Sequence, residues 1–67
     1  MNKFLKRFEE LRKEKDVNYF QIAKATGISH VTIGDWTKGK TLPNMESLIL
    51  LCEFFGCTAG YLIGTED

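Results

Sequence analysis

The stretch Asn18-Tyr-Phe-Gln-Ile-Ala-Lys-Ala-Thr-Gly-Ile-Ser-His-Val-Thr-Ile-Gly-Asp-Trp36 decides the reading of this 67-residue chain. Asn18 suits a helix start, because its side-chain oxygen can accept from the free N–H groups of the first turn. The helix that follows carries Ile22 and Ala23 inward and stops at Gly27, a residue that takes the left-handed conformation cheaply. Ser29 is the next cap, and Ile33 and Trp36 share the buried face of the helix it opens. Ala23 is small where the two axes would cross closely. Ile28 and Ile33 can then pin the second helix across the first.

Outward from this stretch the punctuation continues. Upstream, Phe4, Leu5, Phe8 and Leu11 recur at helical spacing among Lys, Arg and Glu, a single apolar stripe running to about Lys15. Downstream, Gly39 ends the third helix and Pro43 bars continuation. Asn44 caps a fourth helix over Met45 to Phe55, which stops at Gly56. Thr58 caps a last turn, Ala59–Ile63, closed by Gly64. Period-two alternation and hairpin dipeptides are absent, so strands do not compete. The expectation is an all-α fold, a compact five-helix bundle forming one domain over residues 1–67.

Chemistry of the enzymatic kind finds little support. There is one histidine, His30, and the two cysteines, Cys52 and Cys57, are off the C-x-x-C spacing of zinc and redox sites. Gly-rich phosphate loops and nucleophile elbows do not occur. The sequence therefore predicts no catalytic site, no metal, no cofactor and no small-molecule ligand. Cys52 reads as a small core hydrophobe, and the pair fits a reducing, cytoplasmic setting. The longest apolar run, Leu48–Cys52, is far short of the roughly 20 residues that a membrane span takes. Charges interrupt Met1–Glu10, so that segment does not read as a signal peptide.

Nine Lys+Arg balance nine Asp+Glu, a formal charge of +0 that argues on its face against a polyanionic partner. The balance conceals a segregation. Residues 1–43 hold all nine bases against five acids, a net +4, and residues 44–67 hold four acids and no base, a net −4. The positive half contains the paired helices of residues 18–36. Such segregation orients a molecule toward a polyanion while keeping non-specific attraction low.

Two short helices joined by so tight a turn form a helix-turn-helix, here about residues 18–38. In that arrangement the second helix enters the major groove of DNA with its N-terminal residues at base edges. The segment Phe8 to Gly64 also resembles the helix-turn-helix domain of the Cro and phage-repressor family. The resemblance rests on Glu10-Leu-Arg12, Ile22-Ala23, Gly27-Ile-Ser29, Thr32-Ile33, Trp36, Gly39-Lys40, Pro43, Leu48 and Thr58-Ala-Gly-Tyr-Leu-Ile-Gly64. It implies a sequence-specific transcriptional regulator of double-stranded DNA, with a recognition helix over about residues 29–38.

By that resemblance DNA contacts come from Asn18 and Tyr19 and from the exposed face of the third helix, Ser29, His30, Val31, Thr32 and Asp35. Two positions depart from the family pattern: Tyr19 stands where Gln is common, and Asp35 where a basic or amide residue is common. His30 can bond a guanine acceptor or a phosphate, Val31 can pack on a thymine methyl, and Asp35 can accept from a cytosine amine. Gly34 permits a close approach to DNA or else merely weakens the helix, by about 1 kcal/mol relative to Ala. Lys24, Thr37, Lys38, Lys40 and Thr41 would anchor phosphates, and Trp36 reads as core rather than as a stacking platform.

The fourth helix carries more apolar residues than one stripe needs. Met45, Leu48, Ile49, Leu51, Cys52 and Phe55 are expected inward and the pair Leu50 and Phe54 outward. With Tyr61 and Ile63, that outward pair predicts a homodimer through helices 4 and 5. The rival reading is a protein–protein interaction module on the same fold, favoured by Tyr19, Asp35 and the Leu50/Phe54 face. Phe20, apolar at a usually polar position, fits neither reading.

Overall fold

Each helix begins where a side chain takes up a free backbone N–H. In the computed structural model, which describes residues 2–67, α1 (Lys3–Lys15) opens on Asn2, whose Oδ1 accepts from Leu5 N at 2.7 Å. α2 (Tyr19–Thr26) opens on a reciprocal pair: Gln21 N donates to Asn18 Oδ1 at 2.7 Å, and Asn18 N donates to Gln21 Oε1 at 2.8 Å. Ser29 caps α3 (His30–Thr37), Asn44 caps α4 (Met45–Phe55) and Thr58 caps α5 (Ala59–Ile63). A cap of this type stabilises its helix by about 1 kcal/mol. Helices this short need that contribution, since alone they do not persist in water. The caps Asn18, Ser29, Asn44 and Thr58 are those the sequence predicts, and Asn2 is an addition.

α1 ends without a glycine. Asp16 takes up the left-handed conformation, with φ 57° and its N–H donating to Lys13 O at 3.1 Å. Aspartate is among the few non-glycine residues that tolerate this region, so the stop is chemically encoded, though less legibly than at Gly27.

The core gathers one or more residues from every helix: Phe4, Leu5 and Phe8 of α1, Ile22 of α2, Ile33 and Trp36 of α3, Leu51 of α4 and Leu62 of α5, with Ile28 from the turn. α1 lies against α5, α2 touches both α3 and α4, and α4 packs on α5. Trp36 is core, as expected, meeting Phe4 and Phe8 edge-on with centroids 5.6 and 5.9 Å away. Its indole N–H is buried without an acceptor among the described residues, a local cost of about 1–3 kcal/mol that the surrounding rings must outweigh.

α4 corrects the sequence reading. Leu50 and Phe54 are half-buried and packed on the core, whereas Met45 and Ile49 are exposed at 71% and 53%. The reason is the phase of the helix. Leu51, fully buried, is the centre of the apolar arc. At about 100° per residue, Leu50 and Phe54 fall within that arc and Ile49 falls nearly opposite it. Lys15 at the end of α1 also covers Phe54, its Nζ 5.0 Å from the ring centroid. Cys52 and Cys57 are free and half-buried, and burial, followed by the neighbouring Cys52, pushes the Cys57 thiol pKa up.

Phe8 makes aromatic contacts with Phe4, Tyr19, Trp36 and Phe55. Truncating such a ring costs about 3–5 kcal/mol. That is comparable to the whole stability expected of a domain this small, roughly 3–5 kcal/mol. Phe8→Ala is therefore expected to abolish most of the far-ultraviolet helical signal at 25 °C, whereas Phe20→Ala leaves the melting curve in place. A cooperative, near-wild-type melt of Phe8→Ala would contradict this account of the core.

Candidate nucleic-acid interface

The turn between α2 and α3 is fixed by side-chain and backbone bonds together. Thr26 Oγ1 donates to Ile22 O at 2.7 Å and accepts from Ile28 N at 3.2 Å. Gly27 sits at φ 79° with its N–H on Ala23 O at 2.9 Å, a conformation that any side chain there would strain. Ile28, 8% exposed, then anchors the turn in the core. Ser29 Oγ accepts from Val31 N at 3.2 Å, which occupies one of the free donors of α3.

α3 is consequently divided along its length. Ile33 and Trp36 hold it to the core, while Ser29, His30 and Val31 at its start are exposed, Val31 at 73%. Thr32, Gly34, Asp35 and Thr37 are half-buried along its flank. Nothing lies within 4 Å of where a Gly34 side chain would start, so the space beside it is open. The Thr37 hydroxyl donates to Gly34 O at 2.8 Å and keeps its lone pairs for a further donor. Lys38, Lys40 and Thr41 follow in an exposed loop that turns back as Lys40 N donates to Asp35 O at 2.9 Å. Asn18 and Lys24 on α2 are exposed as well.

Tyr19 departs from its expected place. Its ring lies parallel to Phe8 with centroids 6.2 Å apart, and its hydroxyl donates to Glu9 Oε1 at 2.5 Å. The Arg12 guanidinium lies 4.9 Å from the ring centroid, bonds Glu9 through Nε and Nη2 at 3.3 Å each, and donates from Nη1 to Val17 O at 3.1 Å. Tyr19 is thus half-buried and turned toward α1, occupied inside the molecule rather than held out for a ligand. Tyrosine brings a ring long enough to reach the core and a single hydroxyl, so the packing site on Phe8 captures it. Glu9, first by its hydrogen bonds, raises the Arg12 pKa and keeps the guanidinium charged.

Phe20 and the expected interface residues Tyr61 and Ile63 complete the surface. Phe20, in the first turn of α2, is 65% exposed, with its ring edge-on to His30 at a centroid distance of 6.4 Å. Tyr61 is half-buried under Arg7, whose guanidinium carbon lies 4.2 Å from the ring centroid and whose Nη1 donates to Tyr61 O at 3.1 Å. Ile63 alone of the expected interface set is exposed. It borders an apolar groove of about 230 Å³ between Lys3, Phe4, Leu42, Pro43 and Leu48.

Residues 8–62 match the model of the helix-turn-helix family. The chain belongs to that family. It is 34% identical over 64 residues to the HTH-type transcriptional activator BcrR of Enterococcus faecalis, covering 96% of this chain and 31% of that protein. It is 32% identical over 57 residues to repressor protein C2 of Salmonella phage P22, covering 85% of this chain and 26% of that protein. A crystal structure of a transcriptional regulator from Listeria innocua superposes with a TM-score of 0.82 at 28% identity, over 96% of this chain and 60% of that one. The chain thus spans less than a third of the length of either curated relative.

The internal placement of Tyr19 has a pH signature. Burial first, and then the Glu9 carboxylate, raises its phenol pKa above the ordinary value of about 10. The folded state therefore holds the proton more tightly than the unfolded chain does. That contribution is complete below about pH 10 and is lost as pH rises through the higher folded value. The melting temperature of the wild type is expected to fall more steeply than that of Tyr19→Phe between about pH 9 and pH 11. Parallel curves would place the phenol in water.

Proposed function

We propose that this chain is the DNA-binding unit of a transcriptional regulator, with α3 in the major groove of double-stranded DNA. The observation that carries this reading is the exposed, capped start of α3, held outward by the buried Ile33 and Trp36. It is supported by the transcriptional roles named for BcrR, for repressor protein C2 and for the Listeria regulator. His30, Val31 and Thr32 meet base edges, Gly34 lets the duplex approach, and Asp35 accepts from a cytosine amine. Asn18, Ser29, Lys24, Thr37, Lys38, Lys40 and Thr41 take phosphates, which position the domain and supply most of the affinity. The unit works in the cytoplasm, where Cys52 and Cys57 stay reduced. No helix among the described residues is long and apolar enough to cross a membrane.

A homodimer through α4 and α5 completes the reading. Its contact face is Met45 and Ile49 with Leu42 and Ile63 at the edge of the groove, residues 43–71% exposed. Two copies related by a two-fold axis present two recognition helices to half-sites about 34 Å apart. The interaction-module alternative loses most of its basis, because Tyr19, Leu50 and Phe54 are turned inward.

Selection from a pool of random duplexes is expected to enrich a two-fold symmetric motif, with affinity falling as salt rises. No enrichment, or binding indifferent to salt, would refute the reading. The double variant Lys38→Glu, Lys40→Glu is expected to lose binding to that motif while melting as the wild type does. Met45→Glu with Ile49→Glu should sediment as a monomer and bind half-sites singly. A wild type that remains monomeric at millimolar concentration and on the selected duplex would remove the dimer.

A further inference from the structure

The exposure of Phe20 is not accounted for by folding. At 65% it contributes little burial, and its neighbours Asn18, Gln21 and Lys24 are polar and exposed. A single exposed apolar side chain is ordinary, so what distinguishes Phe20 is its place, against the start of the helix that carries the site. What it touches is informative: the ring meets His30, the first residue of α3, at 6.4 Å and 67°. Beyond His30 lies Val31, 73% exposed. The starts of the two helices are therefore bridged by the edge-on contact of Phe20 with His30, with the exposed Val31 next in sequence. Under the DNA-binding reading, on which this inference rests, the start of α2 faces the sugar-phosphate edge and the start of α3 faces the bases. Phe20 lies where those two surfaces join.

The one apolar feature that a base pair presents in the major groove is the thymine C5-methyl, which lies toward the edge of the groove. We propose that Phe20 is a specificity-determining residue that selects thymine by packing its ring on that methyl at the margin of the half-site. The edge-on contact also positions His30, so that the ring reads one base while the imidazole beside it reaches another. Phenylalanine has no donor or acceptor, so it discriminates by the methyl alone and leaves phosphate contacts unchanged.

The test uses the duplex carrying the motif enriched from the random pool. Each thymine in turn is replaced by deoxyuridine, which deletes only the methyl. One replacement is expected to weaken the wild type about fourfold, the worth of one buried methyl. Phe20→Ala should be weaker on the thymine duplex by a similar factor and indifferent to that same replacement. Val31→Ala should still sense it. Because Phe20 is exposed, the variant should melt with the wild type. A Phe20→Ala domain that binds the thymine duplex as tightly as the wild type would overturn the proposal. So would equal weakening on thymine and deoxyuridine duplexes at every position, which would place the ring on deoxyribose. A motif with no thymine at its margins sinks it too. In those three outcomes the DNA-binding reading stands. Failure of the pool to yield any motif removes both.

Discussion

The ring of Phe8 is the point on which the rest of the molecule depends. It is fully buried and in contact with Phe4 of its own helix, Tyr19 of α2, Trp36 of α3 and Phe55 of α4. Aromatic pairs of this kind are worth about 0.5–1.5 kcal/mol each beyond the area they bury. More important is that they are directional. A parallel contact to Tyr19 and perpendicular contacts to Trp36 and Phe55 fix how three helices meet one face of α1. α3 is thus held from two directions, by Trp36 directly and by α2 through the Thr26–Gly27–Ile28 turn.

Tyr19 shows how a surface position can be taken over by the interior. Its ring extends the aromatic cluster and its hydroxyl joins Glu9, which Arg12 also bonds at both carboxylate oxygens while donating to Val17 O. The network spans the α1–α2 junction, where the left-handed Asp16 turns the chain. The side chain expected to meet DNA is instead spent on joining α1 to α2. Under the proposed DNA-binding reading, the exposed Asn18, Lys24, Lys38 and Lys40 are left to carry the electrostatic part of binding.

What was legible in the sequence was what local chemistry encodes. The caps at Asn18, Ser29, Asn44 and Thr58 and the stops at Gly27, Gly56 and Gly64 announce the helix boundaries because each solves a problem set within one turn. Ile33 and Trp36 announced the inner face of α3 because their neighbours are mostly polar or small. α4 was less legible for the opposite reason. Met45, Leu48, Ile49, Leu50, Leu51, Cys52, Phe54 and Phe55 leave almost no polar residues to mark its phase, so only tertiary packing on Leu51 settles it. Tyr19 and Phe20 are adjacent aromatics with opposite fates, one inward and one out. The difference lies in where Phe8 and Glu9 stand, which is a long-range fact. Of the site, the exposed start of α3 was readable, and the contact of His30 with Phe20 was not.

α3 contains β-branched Val31, Thr32 and Ile33 and a mid-helix Gly34, a poor sequence for an isolated helix. It exists as a helix because Ile33 and Trp36 hold it. Its outward positions are thereby released from any duty to promote helix or to fill space. Being exposed, His30 and Val31 contribute little burial to folding. A lineage carrying this scaffold can change the exposed start of α3 through one or two replacements without passing through an unfolded intermediate. The scaffold is costly to alter and its outer edge is cheap to alter, so diversification is confined to the few exposed side chains at the start of α3.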